Sequence, residues 1–174
     1  MNNLINYENA LGHYYKTLAL NSLPISSLDF YSQSFENICM IENDMKSISQ
    51  LAAQNNWKLN STSIDKHLRD QDHIIVVTNL KLQIVFATKN IWKMNRYRPT
   101  EIIGKKPKIF QGNNTCRISL EYISNSIKNN KPFEATIVNY RKDGEPYNCW
   151  IKGEPVYNVN GKVVNFIAFE KEVA

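Results

Sequence analysis

The stretch covering residues 86–112, FATKNIWKMNRYRPTEIIGKKPKIFQG, constrains this chain more than any other. It leaves an apolar strand and offers helix starts at Thr88 or Asn90. A short helix from there is expected to end near Tyr97. Pro99 and Glu101 then mark a second short helix, because Pro tolerates the first helical turn and a carboxylate favours the positive N-terminus. Gly104 ends it. Helices this short are marginal alone and need a sheet to pack on.

Strand signals stand on both sides. HIIVVT, residues 73–78, is a β-branched run suited to a central strand. Residues 79–81 turn, and 82–87 return as the second arm of a hairpin. After the central stretch, Thr115 stands where it can cap a longer helix carrying Ile118, Tyr122, Ile123 and Ile127. Residues 129–132, Asn-Asn-Lys-Pro, stop it. Three strands follow, at 133–141, 147–157 and 163–170, joined by tight turns at Lys142-Asp143-Gly144 and at 158–161. The expected class is α+β: a five-stranded antiparallel sheet with short helices on one face.

Residues 1–69 read as a helical extension, and 70–174 as the sheet domain. Leu4, Tyr7, Leu11, Tyr15 and Leu18 recur at the spacing of one helix face. Leu23-Pro24 ends that helix. Ser26 or Ser27 can cap a second helix with Leu28, Tyr31, Phe35 and Ile38 on one side. A third is expected from about Asp44 to Asn55, with Met45, Ile48, Leu51 and Ala52 inward. Ser61 or Ser63 can cap a fourth through Leu68. Residues 48–68 bear a faint helix-turn-helix pattern, with Lys66, His67 and Arg69 on the recognition helix. The connection is about two residues too long and lacks glycine at the turn, which argues against nucleic-acid binding.

The 174 residues carry a net charge of +5. Lys and Arg are scattered except at Lys105, Lys106 and Lys108, so the charge does not gather into a nucleic-acid face. No apolar run reaches the roughly 20 residues of a membrane helix, and the N-terminus lacks a signal-peptide pattern. The expectation is a cytoplasmic protein. Cys39, Cys116 and Cys149 are odd in number and scattered, which fits reduced thiols. His13, His67 and His73 show no metal-ligand spacing. Nucleophile triads, P-loops and dinucleotide glycine patterns are missing, so no enzyme is expected.

The order strand, strand, short helices, three strands resembles a PAS domain. Within that family it resembles the LOV type, the blue-light flavin sensors. The likeness lies in residues 86–112, in NYRKDG at 139–144 and in GEPVYNVNGKVVNFIAF at 153–169. It implies a sensory or dimerising module that holds a small-molecule ligand between the short helices and the inner sheet face. LOV domains carry Gly-x-Asn-Cys-Arg-Phe-Leu-Gln, whose Cys bonds to the flavin. Here the stretch is GKKPKIFQ, residues 104–111. Pro107 stands at the Cys position and Lys106 at the Asn. Proline has no thiol and cannot form the adduct. The phosphate-binding arginines fall on Lys108 and Ser124. Of the two amides that meet the flavin, Asn139 keeps one and Cys149 replaces the other. The signal-relaying glutamine falls on Glu170. Gln111 is retained.

Alternation along the strands agrees with these placements. If Asn139 points inward, so do Ala135, Ile137, Cys149, Ile151, Phe166, Ala168 and Glu170. The cofactor-site candidates are therefore Asn139, Gln111, Cys149, Lys108 and Glu170, with the cofactor unknown and flavin disfavoured. Asn139 and Gln111 could instead bind backbone with no ligand at all. A carboxylate in an apolar pocket is costly unless paired. Glu170 would pair with Lys106 or Lys108, or sit in water at the strand end, the favoured reading. The outer face then holds Thr136, Val138, Trp150, Ile167 and Phe169, an apolar patch that needs cover. The helices before residue 70 are the cover within the chain. The resemblance also implies a homodimer, expected through the first helix and the face around Trp150, Ile167 and Phe169. The reading is a non-enzymatic PAS-type module, either ligand-responsive or ligand-free. A flavin sensor without adduct chemistry and a DNA-binding regulator are the alternatives.

Overall fold

The computed structural model describes residues 25–58, 64, 67 and 73–174, with side chains from residue 35 onward. The expected first helix, residues 4 to 18, lies outside the described residues. The chain forms two compact units, Met1–Cys39 and Met40–Ala174.

The elements, in chain order, are α1 (Ile25–Gln54), β1 (Ile74–Asn79), β2 (Ile84–Ala87), α2 (Ile91–Asn95), α3 (Pro99–Ile102), a 3₁₀ turn (Pro107–Phe110), α4 (Arg117–Lys128), β3 (Phe133–Tyr140), β4 (Pro146–Tyr157) and β5 (Val163–Val173). The strands form one antiparallel sheet in the order β2-β1-β5-β4-β3. The expected fold class is the observed one.

The second and third expected helices are one helix, α1, 30 residues long. No Gly or Pro interrupts it, and nothing in 39–44 forces a break. It ends in a left-handed cap. Asn56 has φ 49, while Trp57 N donates to Ala52 O (2.9 Å) and Asn56 N to Ala53 O (3.2 Å). Its C-terminal half covers the outer sheet face. Ile48, Ala52 and Trp57 are buried with Ile75, Val77, Phe86, Ile167 and Phe169. Trp57 Nε1 donates to Asn165 Oδ1 (2.9 Å), and Asn165 Nδ2 donates to Thr78 O (3.1 Å), so the buried polar atoms of this layer are paired. The dimer contact expected at Ile167 and Phe169 is therefore corrected: the chain's own helix already occupies that face. Ile64 and His67 are helical, and the rest of the fourth helix lies outside the described residues. The His67 ring lies 4.1 Å from that of Phe169, so this member of the supposed recognition helix packs on the sheet.

Two expected caps are also corrected. Asn90, one of the two expected residues, holds the N-cap position of α2, but neither its side chain nor that of Thr88 makes a capping bond. Thr88 Oγ1 accepts from Ile75 N (3.1 Å), and Asn90 Nδ2 donates to His73 O (3.0 Å). Asp44 Oδ2 receives Lys89 N instead (2.9 Å). Cys116, not Thr115, holds the N-cap position of α4. Thr115 Oγ1 accepts from Gly112 N (3.0 Å) and donates to Val138 O (2.6 Å), tethering the loop to β3. A hydroxyl that can cap can equally bridge, and the strand carbonyl is nearer in space than in sequence. At α3 the expectation holds: Glu101 Oε2 receives Arg98 N (2.8 Å) and Pro99 opens the helix.

The NYRKDG turn clasps these short helices. Arg141 donates to Met94 O and to Glu172 Oε1 (2.7 Å), Lys142 N donates to Asn95 O (3.0 Å), and Lys142 pairs with Glu101. Gly144, at φ 89, supplies the left-handed turn residue.

Candidate functional site

The inner sheet face, the 3₁₀ turn and α4 enclose a cavity of about 430 Å³. Strand alternation puts Ile137, Asn139, Ile151, Phe166, Ala168 and Glu170 on its floor, from β3, β4 and β5. Opposite them, Leu120, Ile123, Ser124, Ile127 and Lys128 line it from α4. Their spacing of three and four puts them on one helix face. Ile118 and Tyr122, on the same helix, are exposed at 79% and 50%. The third wall is Lys106, Pro107, Lys108, Phe110 and Gln111. This wall is hung on the sheet by Gly104 N to Ile84 O and Ile84 N to Lys105 O, both 2.8 Å. Gly104, at φ 80, makes that reversal. Lys106 is extended, as a residue before proline must be.

Four of the five candidate residues, Asn139, Gln111, Lys108 and Glu170, line this cavity. Cys149 does not: it is fully buried in the core beneath. Lys106 and Ser124 join the lining. Lys128 joins it too, a residue that the sequence analysis did not single out.

Glu170 does not sit in water. It is only 5% exposed, because β5 continues to Val173 and pairs Glu170 with Ile74 on one side and Ile151 on the other. Nor is it paired: among the described residues no Lys or Arg forms an ion pair with it. Cys149 Sγ donates to its Oε2 at 3.9 Å. Burial pushes the Glu170 carboxyl up to about 7, against the weak opposing bond from Cys149. Burial, then the neighbouring Glu170, drives the Cys149 thiol upward, so it stays neutral. Asn139 is 3% exposed, and its Oδ1 has no hydrogen-bond partner. Tyr147, opposite Asn139 in register, is likewise buried with an unpartnered hydroxyl and with its ring under Arg141 at 4.7 Å. The floor thus ends in an acid and an amide, with the Cys149 thiol buried behind them. The rim carries three exposed lysines, Lys106, Lys108 and Lys128.

Residues 71–173 match the family model described as PAS domain. The chain belongs to the PAS domain family. Within it the chain is LOV-like. Phototropin-2 of Oryza sativa subsp. japonica is 32% identical over 91 residues, 52% of this chain and 10% of that protein. Protein TWIN LOV 1 of Arabidopsis thaliana is 32% identical over 115 residues, 64% of this chain and 29% of that protein. A blue-light-activated histidine kinase of Brucella abortus is 30% identical over 102 residues, 57% of this chain and 21% of that protein. The chain thus spans less than a third of the length of these curated relatives. Among solved structures, a LOV domain studied with a flavin analogue superposes with a TM-score of 0.60 at 22% identity, covering 64% of this chain and 85% of that one. The dark structure of Aureochrome1 LOV gives 0.59 at 23%, covering 64% and 83%. At these identities the structures establish the fold. Among the described residues no helix is long and apolar enough to cross a membrane.

Pro107 has no thiol, and none of the three cysteines lines the cavity: Cys116 is exposed at the start of α4, Cys149 is in the core and Cys39 is on α1. The cavity wall offers Asn139, Lys108 and Ser124, with the Cys149 thiol behind it.

Proposed function

We propose that this PAS domain is a non-enzymatic sensory module that responds to a small-molecule ligand in the inner cavity, without cysteinyl-flavin chemistry. The observation that carries the reading is the cavity itself: apolar walls, two buried polar groups on the floor, and no cysteine in reach. That is the usual make-up of a ligand pocket, apolar with a few placed polar groups. Asn139 Oδ1 without a protein partner favours a ligand over the reading in which this amide only supports the fold. Blue-light illumination of the purified protein supplied with flavin mononucleotide tests it. No reversible bleaching of the flavin band is expected, and Pro107→Cys alone will not create any, because the amide and phosphate partners differ too. A reversible photocycle in the wild type sinks this reading.

The output is self-association or binding of a protein partner. With Ile167 and Phe169 covered, the contact is assigned to the N-terminal extension. Phe35 and Ile38, three residues apart on α1, are 67% and 54% exposed. Light scattering reads this: a full-length protein that stays monomeric at high micromolar concentration removes the homodimer.

A further inference from the structure

The inner cavity holds a carboxyl group that the fold does not compensate. Glu170 lines the cavity at 5% exposure, and Cys149 is its one hydrogen-bond donor among the described residues. The groups that face it are few. From β4 come Cys149 and Tyr147, both held neutral by burial. Lys106 just before the 3₁₀ turn, Lys108 on it and Lys128 on α4 are exposed and form no ion pair with it. Glu172, two residues on along β5, is engaged by Arg141 at 2.7 Å. Asn139 adds a second buried oxygen short of a donor. Ionised, Glu170 would be an unpaired charge in an apolar site, which is costly. Protonated, it loses charge-assisted bonding. A donor brought in by a ligand resolves both shortages at once.

We propose that the cavity selects a mainly apolar ligand bearing an amine or similar N–H donor, which Glu170 and Asn139 receive at the floor and which takes the place of the proton on Glu170. The inference rests on the cavity being a ligand site, and it adds the ligand's chemistry. The balance is simple. A neutral Glu170 carboxyl and an ammonium ligand give a carboxylate–ammonium pair, and the carboxyl proton leaves to solvent. A LOV-type glutamine at this position would carry no charge and could not make this selection. Glu170 is thus the specificity-determining residue of the pocket.

Three probes of one chain length test this: n-octylamine, n-octanol and octanoate, titrated by calorimetry into the full-length protein. At about pH 8 the amine should bind roughly tenfold tighter than the alcohol, with octanoate weakest. Amine affinity should fall several-fold by about pH 6, where Glu170 holds its proton more firmly, while alcohol affinity stays level. Glu170→Gln should remove the amine's advantage and keep alcohol binding. Equal binding of amine and alcohol, or an advantage that survives in Glu170→Gln, overturns the proposal and leaves the cavity reading standing. If none of the three binds, both fall. Should the variant not fold by circular dichroism, the pH series on the wild type decides alone.

Discussion

The C-terminal half of α1 and the helix α4 lie over opposite faces of one sheet, and they lie differently. On the outer face, α1 buries Ile48 and Ala52 against Ile75, Val77, Ile167 and Phe169. The polar atoms there are matched, Trp57 to Asn165 and Asn165 to the β1 carbonyl. On the inner face, α4 has no fully buried residue and stands off across the cavity. There the acid, the amide oxygen and the tyrosine hydroxyl are left without strong partners. One face is finished as a protein core, while the other encloses a cavity whose polar groups the described residues leave short of partners. A buried group with no partner is a cost to stability, and such costs cluster where function sits.

The largest expected effect breaks the finished face. Phe169→Ala should lower unfolding free energy by about 3–5 kcal/mol, because a close-packed ring leaves a cavity with nothing to fill it. Urea denaturation measures this, and a loss under about 1 kcal/mol would mean the outer layer is not close-packed.

Glu170→Gln comes next, and its sign depends on pH. A carboxyl raised from 4.5 to about 7 favours the folded state fully below 4.5 and loses that contribution as pH climbs through 7. The variant should therefore be more stable than wild type by roughly 1–3 kcal/mol at about pH 8, and equal to it near pH 4. Thermal melts of both proteins across that range check it; a gap that is constant with pH would place the carboxylate in water after all. Asp44 is also raised, to about 6, through burial, but it is common to both proteins and cancels in the difference.

The smallest effects sharpen the contrast. Ile123→Ala, on the α4 wall of the cavity, should cost no more than about 1 kcal/mol, since its side chain already borders empty space. Asn139→Ala should cost about 1 kcal/mol, because its carbonyl oxygen has no partner while its NH2 group meets Tyr147 and Cys149. A loss above about 2 kcal/mol at Asn139 would make it a structural amide and remove it from the ligand site. Set beside Phe169→Ala, the two variants compare the open face with the closed one directly.

Strand periodicity, turn residues and helix punctuation act over a few neighbours, so they stand in the sequence whole. The β-branched run at 74–77, Gly104, Gly144 and Gly161 at positive φ, and Pro99 at a helix start each act through local backbone preference. Alternation along β3, β4 and β5 is just as local, and with the strand register it puts Asn139 and Glu170 on the same inner face. The lack of a thiol at Pro107 is equally plain from the residues. Only the tertiary structure decided how deep each group lies. Glu170 is buried because β5 runs on to Val173 between β1 and β4, and its pairing with Ile74, far back in the chain, leaves no local trace. Thr115 bridges to β3 instead of capping α4, and Cys149 falls behind the cavity wall instead of on it. Each is settled by which atoms arrive from distant parts of the chain, and the strength of a carboxyl, a hydroxyl or a thiol is set by those arrivals.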